Sequence, residues 1–181
     1  MCSSSEFGAM PDWDVSRVSS MSRAFYYKST FNADVSHWNT SSVASMGGMF
    51  AGAAAFSQPL AGWGTASVTR MDSMFAGASA FNRPLASFDT SSVTSMAGMF
   101  WRASAFNQPL AGWNTSSVTN MNAMFYSASA FAQDIIGWST PALSDSGNMF
   151  IYATAWKAKF ERVDGSTSST NGPPSSWRVK A

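Results

Sequence analysis

His37 and Cys2 are the only imidazole and the only thiol in this 181-residue chain. A Ser-His-Asp or Cys-His nucleophile needs a base beside it and a third group to orient that base. His37 occupies a position held by Gly62, Ser87, Gly112 and Gly137 in later copies of a repeat, so it reads as an incidental surface residue. One cysteine allows neither an intrachain disulfide nor a thiolate zinc site. Paired carboxylates could run a glycosidase. Asp12 and Asp14 are close in sequence, and Asp89 shares the column of Asp14, but that column otherwise holds Asn39, Gly64, Asn114 and Ser139. These are helix N-capping types, and capping accounts for them better than catalysis. The pairs Met46/Met49, Met71/Met74, Met96/Met99 and Met121/Met124 have thioethers that could hold Cu(I). Their spacing aligns them with Val and Phe on one apolar face, where methionine fills irregular gaps. No glycine-rich loop has a phosphate-binding pattern. The sequence therefore predicts no catalytic residue, no metal site and no cofactor.

The elements that would position any site come from a repeat of 25 residues. Trp13, Trp38, Trp63, Phe88, Trp113 and Trp138 mark the start of about six copies. Val18, Val43, Val68, Val93, Val118 and Leu143 follow in register, then Met21, Met46, Met71, Met96 and Met121, with Ser146 in the last copy. Two Phe columns come next, led by Phe25 and Phe31, the second ending in Trp156. A unit this short cannot bury its own apolar face, so neighbours must stack. Val93, Met96, Met99 and Phe100 lie on one face of a short helix, after the capping types Asp89-Thr90-Ser91-Ser92. Gly52 and Gly77 suit the C-terminus of such a helix. Phe106 to Trp113, with Pro109 and Gly112, reads as a short strand ending in a turn. Residues 7–160 form the expected repeat region, and 161–181 a Ser/Gly/Pro-rich tail or cap in which Trp177 could fold back over the last coil.

Composition narrows the function classes. The chain is 45% apolar and 14% aromatic but only 12% charged, with net charge +1. That argues against disorder and against a basic nucleic-acid stripe. No run of apolar residues is long enough to span a membrane. The polar stretch Met1 to Glu6 does not read as a signal peptide.

The unit from Phe106-Asn107-Gln108-Pro109 through Met124-Phe125 closely resembles the BspA-like leucine-rich-repeat surface proteins in their 25–26-residue form, the DUF285 or mycoplasma-type repeat. The resemblance covers roughly Phe7 to Trp156, and Gly172 to Trp177 is similar to a family C-terminal segment. It implies an α/β, leucine-rich-repeat-like right-handed solenoid in which each coil has a short helix and a short parallel strand. It also implies display at the cell surface or outside the cell, and adhesion or protein recognition. Pro59, Pro84 and Pro109 stand where the family has an Asp, which Asp34 and Asp134 retain.

A partner would meet positions where the coils differ. One such column contains Gln58, Arg83, Asn107 and Gln108; it could equally be an amide ladder between coils. The other runs through Tyr26, Ala51, Ala76, Trp101 and Tyr126, with Arg102 beside Trp101. Trp101, Tyr126, Arg102 and Arg83 have the composition of interface anchors for a protein partner. A second reading uses the hydroxyl columns of Thr40, Thr65, Thr90, Thr115 and Thr140 and of Ser19, Ala44, Thr69, Thr94, Thr119 and Ser144 to meet a repetitive ligand, a polysaccharide or ice. Helix capping by the first column is the simpler account. If the methionine column is core, Met71→Ala lowers stability by about 2–5 kcal/mol in thermal or chemical denaturation. An unchanged midpoint would remove the methionines from the core.

Overall fold

The computed structural model describes residues 12–166 and 171–181. Residue 7, where the repeat region was expected to begin, and the Cys2 thiol lie outside them.

The 25-residue period is carried by the backbone itself. Ser20, Ser45, Arg70, Ser95, Asn120 and Asp145 form successive parallel bridges, each to the next. Within a coil, the N–H groups take two routes in alternation. Met96, Gly98, Phe100 and Arg102 donate to the carbonyls of Asn120, Asn122, Met124 and Tyr126 in the following coil, at 2.7–2.9 Å. The residues between them, Met99, Trp101 and Ala103, close turns onto Met96, Gly98 and Phe100 at 2.9–3.1 Å. Further turns join Thr90 to Val93, Ala103 to Phe106 and Leu110 to Trp113. Buried backbone groups must be paired, and this pattern pairs them without helix or sheet.

The expected α/β leucine-rich-repeat solenoid, with a helix and a strand in every coil, is not what forms. Among the described residues the one α-helix is α1, Thr154–Lys159, and the two strands are β1, Phe160–Arg162, and β2, Trp177–Val179. All three lie at the C-terminal end. The segment from Val93 to Phe100, read as helix, is a run of turns, and the coil's bridging residue, Ser95, falls inside it. The segment from Phe106 to Trp113, read as strand, carries no bridge. The physical reason is a pair of left-handed positions in every coil. Arg23, Gly48, Ser73, Gly98, Ala123 and Asn148 form one column, and Tyr27, Gly52, Gly77, Arg102, Ser127 and Tyr152 the other, with φ between 53° and 74°. A positive φ at the third residue of a four-residue turn is the type II pattern. Two such residues four apart stop a right-handed helix from propagating. Gly52 is thus a turn residue and not the end of a helix.

The apolar columns pack as the period requires. Val68, Met71, Met74, Phe75, Phe81 and Leu85 are fully buried, as are their counterparts in the neighbouring coils. The two Phe columns run the length of the stack. Rings in one column lie 5.6–5.9 Å apart, those in the other 5.8–6.1 Å, nearly parallel throughout. Face contact within a coil is closer still, 3.9 Å between Phe100 and Phe106. Offset stacking of this kind adds to simple burial. The tryptophan column contributes hydrogen bonds as well. Trp63, Trp113 and Trp138 donate Nε1–H to the carbonyls of Val35, Leu85 and Leu110 in the preceding coil.

At the C-terminal end the pattern changes. α1 follows the last coil, and β1 pairs antiparallel with β2. Trp177 turns back and meets Phe150 edge-on at 5.2 Å and Trp156 at 6.1 Å. This covers the last ring pair of both Phe columns. Trp156 stands where other coils have Phe, and its buried Nε1–H has no acceptor.

Two substitutions test this architecture. Ala123 sits at φ 53°, where only glycine is free of strain, so Ala123→Gly raises stability by about 0.5–1 kcal/mol. Phe88 replaces the column's tryptophan and leaves the Leu60 carbonyl with its turn bond alone. Phe88→Trp supplies the missing donor and raises stability by about 0.5–1.5 kcal/mol. A fall in the denaturation midpoint for either variant would contradict the assigned geometry.

Candidate functional site

The carboxylates weighed for catalysis serve the backbone. Asp89 accepts hydrogen bonds from the Ser91 N–H at 2.9 Å and the Ser91 hydroxyl at 2.6 Å, and these hold its carboxyl below the ordinary value. Asp14 is lowered in the same way, mainly by the Ser16 side chain and also by its N–H, and Asp34 mainly by the N–H of Ser36. With no helix to cap, these residues start turns instead. His37 is exposed. No cluster of metal-ligating side chains occurs among the described residues. The Met-x-x-Met thioethers from Met46 to Met124 are fully buried in the apolar core.

The first threonine column, read as capping or as ligand-facing, does neither. Thr40, Thr65, Thr90 and Thr115 are at most 2% exposed. Each hydroxyl donates across to the next coil, to the carbonyls of Gly64, Asp89, Asn114 and Ser139 at 2.8–3.0 Å. Buried hydroxyls need such partners, and these cannot reach a polysaccharide or ice. The second column is exposed, but Thr94 and Thr119 each donate their hydroxyl proton to the carbonyl one coil back. Only acceptor lone pairs remain for solvent.

The amide column is a ladder between coils, lying at the surface. The Asn82 side-chain oxygen accepts from the Asn107 N–H, and Gln108 donates its amide to the carbonyl and side-chain oxygen of Asn82. Gln58 does the same to Asn32, and Arg83 donates Nε–H to the Ser57 carbonyl at 2.6 Å. Gln58, Arg83, Asn107 and Gln108 therefore hold neighbouring coils together.

Trp101, Tyr126 and Arg102 do come together. The Arg102 guanidinium lies 4.3 Å from the Trp101 ring centre, and Tyr126 approaches Trp101 from the next coil at 6.1 Å. Tyr152 meets Tyr126 edge-on at 5.6 Å. This cluster closes one end of a groove of about 530 Å³ that runs back along the stack. Gly48, Ala51, Gly52, Ala76 and Gly77 make its floor. Tyr26 and Tyr27, 42% and 72% exposed, form the opposite end, and the Arg23 guanidinium lies 5.4 Å from the Tyr26 ring. A hydrogen bond with Tyr27 raises the Tyr26 phenol above its ordinary value. Arg70 and Asp72 stand along one wall, joined at 2.8 Å, and the bond raises the arginine further.

The groove follows from one-letter differences between coils. Ala51 and Ala76 replace the aromatic ring found at Tyr26, Trp101 and Tyr126, which hollows out the two middle coils. Gly52 is obligatory there, because a Cβ would meet the Tyr27 ring at 2.7 Å. The sequence singled out the aromatic column but not the hollow between its ends. Alternation of large and small residues down one column was the available signal.

A family model described as a Mycoplasma protein of unknown function, DUF285, matches residues 2–97 and, overlapping, 60–163. No curated protein and no solved structure matches the chain.

Proposed function

We propose that this chain, which belongs to the DUF285 repeat family, is a non-catalytic recognition module that binds a protein partner along one face of its stacked coils. The observation that carries the reading is the groove between Tyr26/Tyr27 and the Trp101–Arg102–Tyr126 cluster. A concave site of this size with aromatic and arginine anchors at its ends fits what interfaces use for affinity. The rest of the coil supports the choice by elimination. From Trp38 to Trp138 the Val, Met, Phe and Trp columns are buried, Thr40, Thr65, Thr90 and Thr115 are buried, and the amide column bonds coil to coil. Family membership is consistent with a surface-type protein. Adhesion at a cell surface is the setting in which we place the binding, and no described helix is long and apolar enough to cross a membrane.

Trp101 is the residue on which this reading turns. A peptide-display library selected on the wild-type protein should yield binders whose affinity falls about tenfold or more on Trp101→Ala. The melting midpoint should move little, because Trp101 packs on surface neighbours and lies outside the buried columns. Failure to enrich any peptide, or peptides that bind the Trp101→Ala protein equally well, would remove the groove as a protein-binding face.

A further inference from the structure

We infer that the groove selects an extended, acidic segment of its partner, with two carboxylates set at least about four residues apart. This rests on the reading of the groove as a protein-binding face and adds the chemistry of what it binds.

Three arginines line or adjoin the groove, against one acid. Arg70 is matched by Asp72, which also accepts the Ser95 hydroxyl, so that pair is internally neutral. Arg23 and Arg102 stand at opposite ends, and neither forms an ion pair among the described residues. Each guanidinium lies over the ring of a neighbour, Tyr26 or Trp101. Stacking of this kind fixes the plane of the guanidinium while leaving its N–H fork available, the arrangement that takes a carboxylate with two parallel bonds. The groove thus has positive ends and a neutral, small-residue floor.

The occupant's form follows from the same contacts. The floor has no free backbone edge. In the coil from Arg70 to Gly77, the N–H groups of Met71, Ser73, Phe75 and Gly77 donate to the next coil, and the carbonyls of Arg70, Asp72, Met74 and Ala76 accept from the previous one. Strand addition is therefore excluded, and side chains must do the recognition. Sugar stacking needs an open ring face. Trp101 instead carries Arg102 over its ring and Tyr126 against it, and Tyr26 carries Arg23 and the edge of Tyr27. Peptide carboxylates can use the guanidinium groups without displacing them. The span decides the spacing. Three coil steps at about 4.8 Å set roughly 14 Å along the stack, and the sideways offset between the column of Arg23 and that of Arg102 adds to it, so an extended chain needs at least about four residues to join the two ends.

The test uses matched pairs of extended peptides that differ only in carrying two glutamates or two lysines, at spacings of about four to seven residues. Fluorescence anisotropy against the full chain should show the glutamate peptide binding about tenfold more tightly or better, with the difference shrinking as salt rises. The double variant Arg23→Gln/Arg102→Gln should lose that preference, Arg23→Lys/Arg102→Lys should keep part of it, and Arg23→Glu/Arg102→Glu should reverse it. Melting midpoints of the three variants confirm that each is folded. Equal affinity for both peptides, or a glutamate preference that survives the Gln and Glu variants, overturns the inference. If Trp101-dependent binders from the display selection prove neutral or basic, the acidic partner is wrong and the protein-binding face stands. If neither peptide binds and no displayed peptide is enriched, both fall. Displacement of the glutamate peptide by a sulfated polysaccharide that itself binds more tightly would also overturn it, and would assign the arginines to a carbohydrate polyanion.

Discussion

The alternation of backbone donors is the constraint on which everything else depends. One N–H reaches the neighbouring coil and the next closes a turn, from Gly98 through Ala103 and in the same register in the neighbouring coils. An α-helix spends its N–H groups internally, four residues back, and offers none to a neighbour. A sheet strand offers both its donors and its acceptors outward. The turn run does each by halves. Its outward half locks the coils at the spacing that lets the Phe rings stack, and its inward half curls the chain so that Met96, Met99, Phe100 and Phe106 reach the interior together. Side-chain hydrogen bonds repeat the logic. Thr hydroxyls and Trp indoles of one coil satisfy carbonyls of an adjacent coil. Burial, stacking and polar satisfaction therefore share one period, the consistency that marks a sequence specifying one structure.

That period made the columns legible without any structure. Every apolar residue assigned by register to the interior between Trp38 and Trp138 proves buried or packed against the core, because a 25-residue repeat leaves no other surface on which to place it. The local conformation was not legible, and the reason is specific. Spacings of three, three and one place Val93, Met96, Met99 and Phe100 on one helix face, but two successive type II turns bring the same residues together. The deciding evidence lay in the glycines. Gly48 and Gly98 fall inside the segment read as helix, where glycine is unfavourable. Gly52 and Gly77 lie four residues after the equivalent position, a distance that fits paired left-handed turns and not a single helix end. Asp and Ser before Val93 were equally ambiguous, since the residues that cap helices also start turns.

The candidate site divides in the same way. Coil-to-coil disagreement located Trp101, Tyr126 and Arg102, and their mutual contacts follow from adjacency in sequence or from the repeat. The column of Asn107 and Gln108 stood open between a partner face and an amide ladder, and the sequence could not say whether the amides faced inward or outward. They sit at the surface and still bond to the neighbouring coil, because amide-to-carbonyl bonds in the stack close with the same one-coil offset as the backbone. The groove was beyond reach of composition. It is an absence of side chains at Ala51 and Ala76, and an absence becomes visible only when the rings at either end are placed.

Strain and function meet in the two left-handed columns. Backbone geometry asks for glycine at all of their positions, and where glycine is present, at Gly48, Gly52 and Gly77, it forms the floor of the groove. At the groove's ends the same columns carry Arg23, Tyr27 and Arg102, bulky residues at φ 55–59°, while Ser73, Ala123, Ser127, Asn148 and Tyr152 take the same conformation elsewhere in the stack. Each such residue costs on the order of 1 kcal/mol relative to a relaxed backbone. Nothing in the packing requires that cost, because Gly at the same register elsewhere makes the same turn with the same hydrogen bonds. The strained side chains also lie on their glycine neighbours. Tyr27 covers Gly52, where an added Cβ would meet its ring at 2.7 Å, and Arg23 lies over Gly48, where the contact would be a tight 3.3 Å. Floor and ends are thus one arrangement: small residues in the middle coils make room for the groove, and large ones in the same columns, held in a costly conformation, bound it.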